Sequence, residues 1–180
     1  MILLSNHLLT LEEFKNVDNV VVRINMAHVK DKTELKKFVN INSDVFLDYP
    51  KGRSKPPVPT LHVPDALEMM AKYPNIKYFA VSNIETPSEV KMISSVLPKH
   101  VSFVPKIETL DGVINLASIF ETGCVKHIML DAEDLYTDVN NDTELYLQLK
   151  ERVKNTCKTY NVELLELYGV IFKGKYNSES

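Results

Sequence analysis

Short runs of β-branched and aromatic residues recur along this chain, and the segments between them carry helical spacing. The runs are MILLS (1–5), NVVVRIN (19–25), DVFLDY (44–49), YFAVSNI (78–84), VSFVPKIE (101–108), KHIMLDA (126–132) and VELLELYGVIF (162–172). Between them lie LTLEEFKNV, DKTELKKFVN, PDALEMMAKY, TPSEVKMISSVL, LDGVINLASIFETG and DTELYLQLKERVKNTCKTY. Strands alternating with helices of this length form βαβ units, which build a parallel sheet. The class is therefore α/β, as a (β/α) barrel or an open doubly wound sheet. Five glycines in the whole chain and no GxGxxG or P-loop weigh against the nucleotide-binding open sheet.

Helix boundaries are marked by residue chemistry. Asp65 after Pro64, and Thr86 before Pro87 with Glu89 following, are start signals, and Gly123 sits where a helix stops. The stretch PKGRSKPPVPTLHVP (50–64) holds five of the nine prolines and reads as a loop over the mouth of the sheet or as the scar of a lost insertion. One domain over residues 1–172 and a polar tail over 173–180 are expected.

The net charge of −3 argues against a nucleic-acid partner. No stretch approaches the roughly 18 apolar residues of a membrane span, and the N-terminus lacks the basic start of a secretory signal. Two cysteines, Cys124 and Cys157, stand far apart without a CxxC pattern and suit a reducing compartment. A cytoplasmic protein is expected.

In parallel α/β folds ligands bind at the carboxyl ends of the strands. Charges there carry more functional weight than charges on helices. Lys106 and Glu108 are two residues apart on one run, so they share a face. Asp134, with Asp131 and Glu133, ends the next run, and neighbouring strands lie roughly 5 Å apart. Glu108 and Asp134 are thus able to share one hard cation, magnesium or manganese, which takes few carboxylates and leaves room for substrate. Arg23, at the end of VVVRIN, is placed to hold a carboxylate or a developing enolate oxygen. The plainer reading of acids at such junctions is helix capping, and for Asp131 and Asp138 it is preferred.

VPKIETLDGVINLASIF followed by HIMLDAEDLYTD resembles consecutive strands of the phosphoenolpyruvate/pyruvate barrel superfamily. IETLDGVIN, EDL with Asp138 after it, and ELYGVIF resemble the citrate lyase beta-subunit and oxo-acid aldolase branch, as does the 26-residue spacing from Glu108 to Asp134. RINMAH (23–28), DYPKGRSK (48–55) and Lys106 before Glu108 resemble pyruvate kinase. The resemblance implies a TIM-type (β/α) barrel, minimal or incomplete, of about seven strands. It implies metal ligands at Glu108 and Asp134, catalytic roles for Arg23, Lys106 and Asp48, and substrate contacts from Arg23, Asn25 and Arg53. The function implied is a metal-dependent carbon–carbon lyase or aldolase acting on a pyruvate-type 2-oxo acid through an enolate. The base is left among water, Lys106 and Asp48. The alternatives are a non-catalytic oxo-acid or partner binder, and a pyruvate-kinase-like phosphoenolpyruvate binder.

The chain also departs from these patterns. Ala27 stands where pyruvate kinase has serine, Lys51-Gly52 replaces a glycine-proline, and Asp131 stands where a glycine is usual. No lid insertion follows Pro57, so a kinase reaction with ADP is not expected. An open barrel edge leads to the expectation of a dimer or larger homo-oligomer.

Overall fold

The computed structural model describes residues 3–5 and 21–166. Seven strands form one sheet in sequential order: β1 (Leu3–Ser5), β2 (Val21–Asn25), β3 (Val45–Tyr49), β4 (Ile76–Val81), β5 (Ser102–Ile107), β6 (His127–Leu130) and β7 (Glu163–Glu166). Every neighbouring pair is parallel. Among the described residues no pairing joins β7 back to β1, so the sheet curls as an incomplete barrel. The expected helix LTLEEFKNV, the second half of VELLELYGVIF and the polar tail lie outside the described residues.

Burial on both faces explains why the strands read as almost continuous apolar runs. Residues pointing outward, among them Val22, Ile24, Val45, Leu47, Phe79, Ile107 and Ile128, pack with the helices into the main core. Inward-pointing residues form a second, smaller cluster of Phe46, Ala80, Val104, Met129 and Leu165, with Val21 and Tyr78 against it. That cluster plugs the lumen, as layered side chains do in barrels of this type.

The helices begin where their caps dictate. After a 3-10 turn at Met26–His28 come α1 (Lys32–Val39), α2 (Val63–Lys72), α3 (Pro87–Val96), α4 (Leu110–Ile114), α5 (Leu116–Phe120), α6 (Ala132–Asp138) and α7 (Thr143–Tyr160). Thr86 accepts from the Glu89 amide while the Glu89 carboxylate accepts from the Thr86 amide, a reciprocal capping box. Asp65 accepts from the His62 amide at the start of α2.

The run LDGVINLASIFETG, expected as one helix, is broken at Asn115, whose side chain donates to the Glu85 carbonyl oxygen at 2.9 Å. A second difference is α6, a short helix inside what looked like strand end and loop; Asp131 is its cap. The start of α4 presses on the loop after β4, where a Cβ at Gly112 would come 2.9 Å from the Ile84 carbonyl oxygen. Only glycine permits that approach, which brings the ends of β4 and β5 together.

Cys157 is buried on α7, and burial pushes its thiol up to about 12, whereas Cys124 is exposed. Because the thiolate is the reactive form, a thiol reagent such as Ellman's is expected to titrate one cysteine in the native protein. The second reacts only in denaturant. Two fast-reacting thiols under native conditions contradict the placement of Cys157.

Candidate active site at the barrel mouth

Inward-facing positions at the carboxyl ends of the strands are polar, in contrast to the apolar plug beneath them. On β3 the alternation runs from Phe46 to Asp48, on β4 from Ala80 to Ser82 just past the strand, and on β5 from Val104 through Lys106 to Glu108. A period of two carries each strand from plug to mouth. Arg23, Asp48, Ser82, Lys106 and Glu108 are all buried there.

Arg23 Nε donates to Asp48 Oδ2 at 2.9 Å, and Arg23 Nη2 makes a second bond to the same oxygen. Lys106 Nζ lies 2.7 Å from Glu108 Oε1 and 3.7 Å from both Asp48 Oδ1 and Asp131 Oδ2. It also donates to Ser82 Oγ at 3.2 Å. The other Glu108 oxygen accepts from the Asn83 backbone amide at 2.8 Å. Asn83 turns with φ 53°, and its side chain donates to the Lys51 carbonyl oxygen. Lys51 in turn reaches the Asn83 carbonyl oxygen and Glu89. The loop after β3 is thereby tied to the loop that orients Glu108.

The electrostatics follow from burial and charge together. Burial alone depresses the Lys106 ammonium, but Asp48 and Glu108 outweigh it and hold its pKa above the ordinary lysine value. Burial pushes the Glu108 carboxyl above the ordinary glutamate range; Asp131 adds to this, while Lys106 and the Asn83 amide oppose it. Lys106 is therefore a cation, and of the three candidates for the base it is the one its surroundings disfavour.

Oxygens of Glu108, Asp131 and Asp134 lie within 4.8 Å of one another. Asp134 does not end a strand; it lies in the first turn of α6, where its amide donates to Asp131 Oδ1 at 3.5 Å. Asp131 thus caps the helix and joins the carboxylate cluster at once. Asp138 accepts from the Leu110 amide at 2.8 Å and caps the neighbouring α4.

Of the residues singled out from sequence, Arg23, Asp48, Lys106, Glu108 and Asp134 come together at this mouth. Asn25, beside Asp48 in register, caps the 3-10 turn by accepting from the Ala27 amide. Arg53 donates to carbonyl oxygens of its own loop, at Lys55, Pro56 and Pro57. Burial lowers the pKa of His28, and Arg53 and Arg23 lower it further. Ser82 and Asn83 were not anticipated. Ser82 was detectable as the next inward position after Ala80, and Asn83 as a residue tolerant of positive φ directly after a strand.

No protein-family profile matches the sequence, and no curated protein matches it either. Solved structures do match the fold. An HpcH/HpaI aldolase/citrate lyase family protein from Burkholderia cenocepacia has a TM-score of 0.68 at 15% identity, over 93% of this chain and 79% of that one. Citrate synthase SbnG has a TM-score of 0.68 at 12% identity, covering 94% and 78%. A pyruvate kinase from Cryptosporidium parvum has a TM-score of 0.65 at 12% identity, with 92% of this chain covering 56% of that one. The chain spans little more than half the length of that kinase. In fold it is an incomplete (β/α) barrel, similar to those of these aldolase and pyruvate kinase structures.

Proposed function

We propose that the barrel mouth binds a small 2-oxo acid with a divalent cation, magnesium or manganese, and makes or breaks the carbon–carbon bond beside the keto group. The observation that carries this reading is the meeting of Arg23 and Lys106 with Asp48, Glu108, Asp131 and Asp134 at one end of the sheet. The donor chemistry fits a hard cation: three carboxylates offer oxygens close together, and the rest of the shell is left to water and substrate. Glu108 and Asp134 would hold the ion, with Asp131 beside them. When bound it would polarise the keto group and stabilise negative charge on that oxygen.

The protein's own cations supply the complementary part. Arg23 and Lys106 bring fixed positive charge to the oxygens on which charge develops, in a site where burial strengthens it. In the cleavage direction, a base takes the hydroxyl proton of a hydroxylated oxo acid. The hydroxyl-bearing β-carbon leaves as a carbonyl compound. The electrons of the bond between the α- and β-carbons move into the oxo-acid fragment as an enolate, and a proton then returns to its α-carbon. Lys106 is held in its charged form, which leaves Asp48 and water as acceptors. Asp48 Oδ1 has no hydrogen-bond donor on it.

A non-catalytic binder is the second reading, favoured by the way Lys106 and Glu108 already satisfy each other. Calorimetric titration of oxalate, an enolate mimic, with and without magnesium tests both. Binding that requires magnesium and weakens by about 10–100-fold or more in Glu108→Gln supports the enolate site and justifies a screen of 2-oxo acids. A folded protein that binds neither oxalate nor metal removes the enzyme reading. Tighter binding of phosphoenolpyruvate than of pyruvate moves the assignment toward the pyruvate-kinase-like alternative.

A further inference from the structure

Lys106 is the hub of the mouth. Its ammonium engages Glu108 Oε1 at 2.7 Å and Ser82 Oγ at 3.2 Å, while the Asn83 amide occupies Glu108 Oε2. Ser82 Oγ also lies 3.4 Å from Glu108 Oε1. Both oxygens of the central glutamate are therefore in use. Two further carboxylate oxygens stand 3.7 Å from Lys106 Nζ, Asp131 Oδ2 on a partly exposed side chain and Asp48 Oδ1, and of these Asp48 Oδ1 is the buried one and accepts no hydrogen bond. A buried charged acceptor without a donor is costly, so its presence beside the Lys106 ammonium calls for a reason.

We infer that Lys106 is a built-in counter-cation with two seats, one on Glu108 and one on Asp48, and that its move between them admits the divalent cation. Seated on Glu108, the ammonium occupies the ligand that the metal needs. A shift of about 1 Å brings Nζ to charge-assisted hydrogen-bond distance from Asp48 Oδ1 and releases Glu108 Oε1. Lysine suits this role, because its flexible stem carries a compact charge with no fixed fork geometry. Arg23 stays on Asp48 Oδ2 in both arrangements, which leaves Oδ1 as the second seat and, with the metal bound, leaves water rather than Asp48 as the proton acceptor. The inference rests on the reading of Glu108 as a metal ligand, and its consequence is specific. Lys106 lowers metal affinity, and Asp48 raises it by drawing Lys106 away.

The test is calorimetric titration of Mn2+ alone into wild type, Lys106→Met, Asp48→Asn and the double variant, each checked for cooperative unfolding. Lys106→Met is expected to bind Mn2+ at least about tenfold more tightly than wild type. Asp48→Asn is expected to bind more weakly, and that loss is expected to vanish when Lys106 is already methionine. Binding by Lys106→Met alone, with none by wild type, also supports the counter-cation. If wild type binds and Lys106→Met binds no better, the inference is overturned and the metal reading stands. An Asp48→Asn loss of equal size in both backgrounds shows direct electrostatics and overturns the second seat. Failure of every folded variant to bind Mn2+ overturns both readings. Should Asp48→Asn not fold, a structure of manganese-soaked wild type decides the seat: Nζ on Asp48 Oδ1 supports it, and Nζ still on Glu108 overturns it.

Discussion

Replacing Asp48 by alanine is expected to destabilise the protein by about 3–5 kcal/mol, the cost of removing one partner from a buried ion pair. Asp48 is fully buried, holds Arg23 through two hydrogen bonds, and lies within 4 Å of Lys106. Its loss leaves two cations without the carboxylate that sits between them. A loss of that size is a large share of the 5–15 kcal/mol typical of a whole domain. Urea denaturation reads it as a lower midpoint at unchanged slope. The double replacement Arg23→Met with Asp48→Leu is expected to recover most of the loss, because a packed apolar pair avoids desolvation altogether. If Asp48→Ala moves stability by less than about 1 kcal/mol, the pair is not the buried element described here. Recovery of stability without recovery of oxalate binding would separate what Asp48 does for the fold from what it does for the site.

Phe46→Ala is the second large effect, again about 3–5 kcal/mol, for a different reason. Phe46 is fully buried in the lumen, where its ring stacks on Tyr78 at 5.9 Å between centroids and packs with Ala80, Val104, Met129 and Leu165. These neighbours belong to different strands of a rigid sheet, so they cannot close over the space that a truncated ring leaves. The plug is also the floor of the site. Asp48 follows Phe46 on β3, and Lys106 follows Val104 on β5, each by two residues. Phe46→Ala is therefore expected to weaken oxalate binding as well as stability. Phe79→Ala, facing the helices on the other side of the sheet, is expected to cost similar stability with oxalate affinity retained. Equal effects on binding from both substitutions contradict a separate lumen floor.

Much of this architecture was legible because the signals are local. Alternating strand and helix periods identified all seven strands, within a few residues of the observed bounds wherever those are described, and Thr86 with Glu89 marked a helix start correctly. Lys106 and Glu108 were readable as one face at one strand end, since a strand's side chains alternate whatever surrounds them. The break at Asn115 was not readable. It depends on the Glu85 carbonyl oxygen, thirty residues away in sequence, which accepts from the Asn115 side chain.

Asp131 shows where sequence reasoning divides. Its capping role belongs to the chain immediately around it and was anticipated. Its membership of one carboxylate cluster with Glu108 and Asp134 was not, because that depends on how the pairing of β5 with β6 aims the three side chains. Asp134 was matched by spacing to the right partner but assigned to a strand end, whereas it stands in the first turn of α6. Ser82 and the Asn83 amide, which hold Lys106 and Glu108 in place, carry no charge and so drew no notice in the sequence.

By itself the sequence determined the α/β class, the parallel sheet and the shared face of Lys106 and Glu108 at a strand end, since periodicity, capping and side-chain alternation act over a few residues. Tertiary structure alone decided that Lys106 keeps its charge although buried, that Glu108 is engaged on both oxygens, and that Asp48 Oδ1 is left without a donor. Those properties arise from burial and from charges on other strands, and neither exists until the sheet has curled and its lumen has closed over the plug.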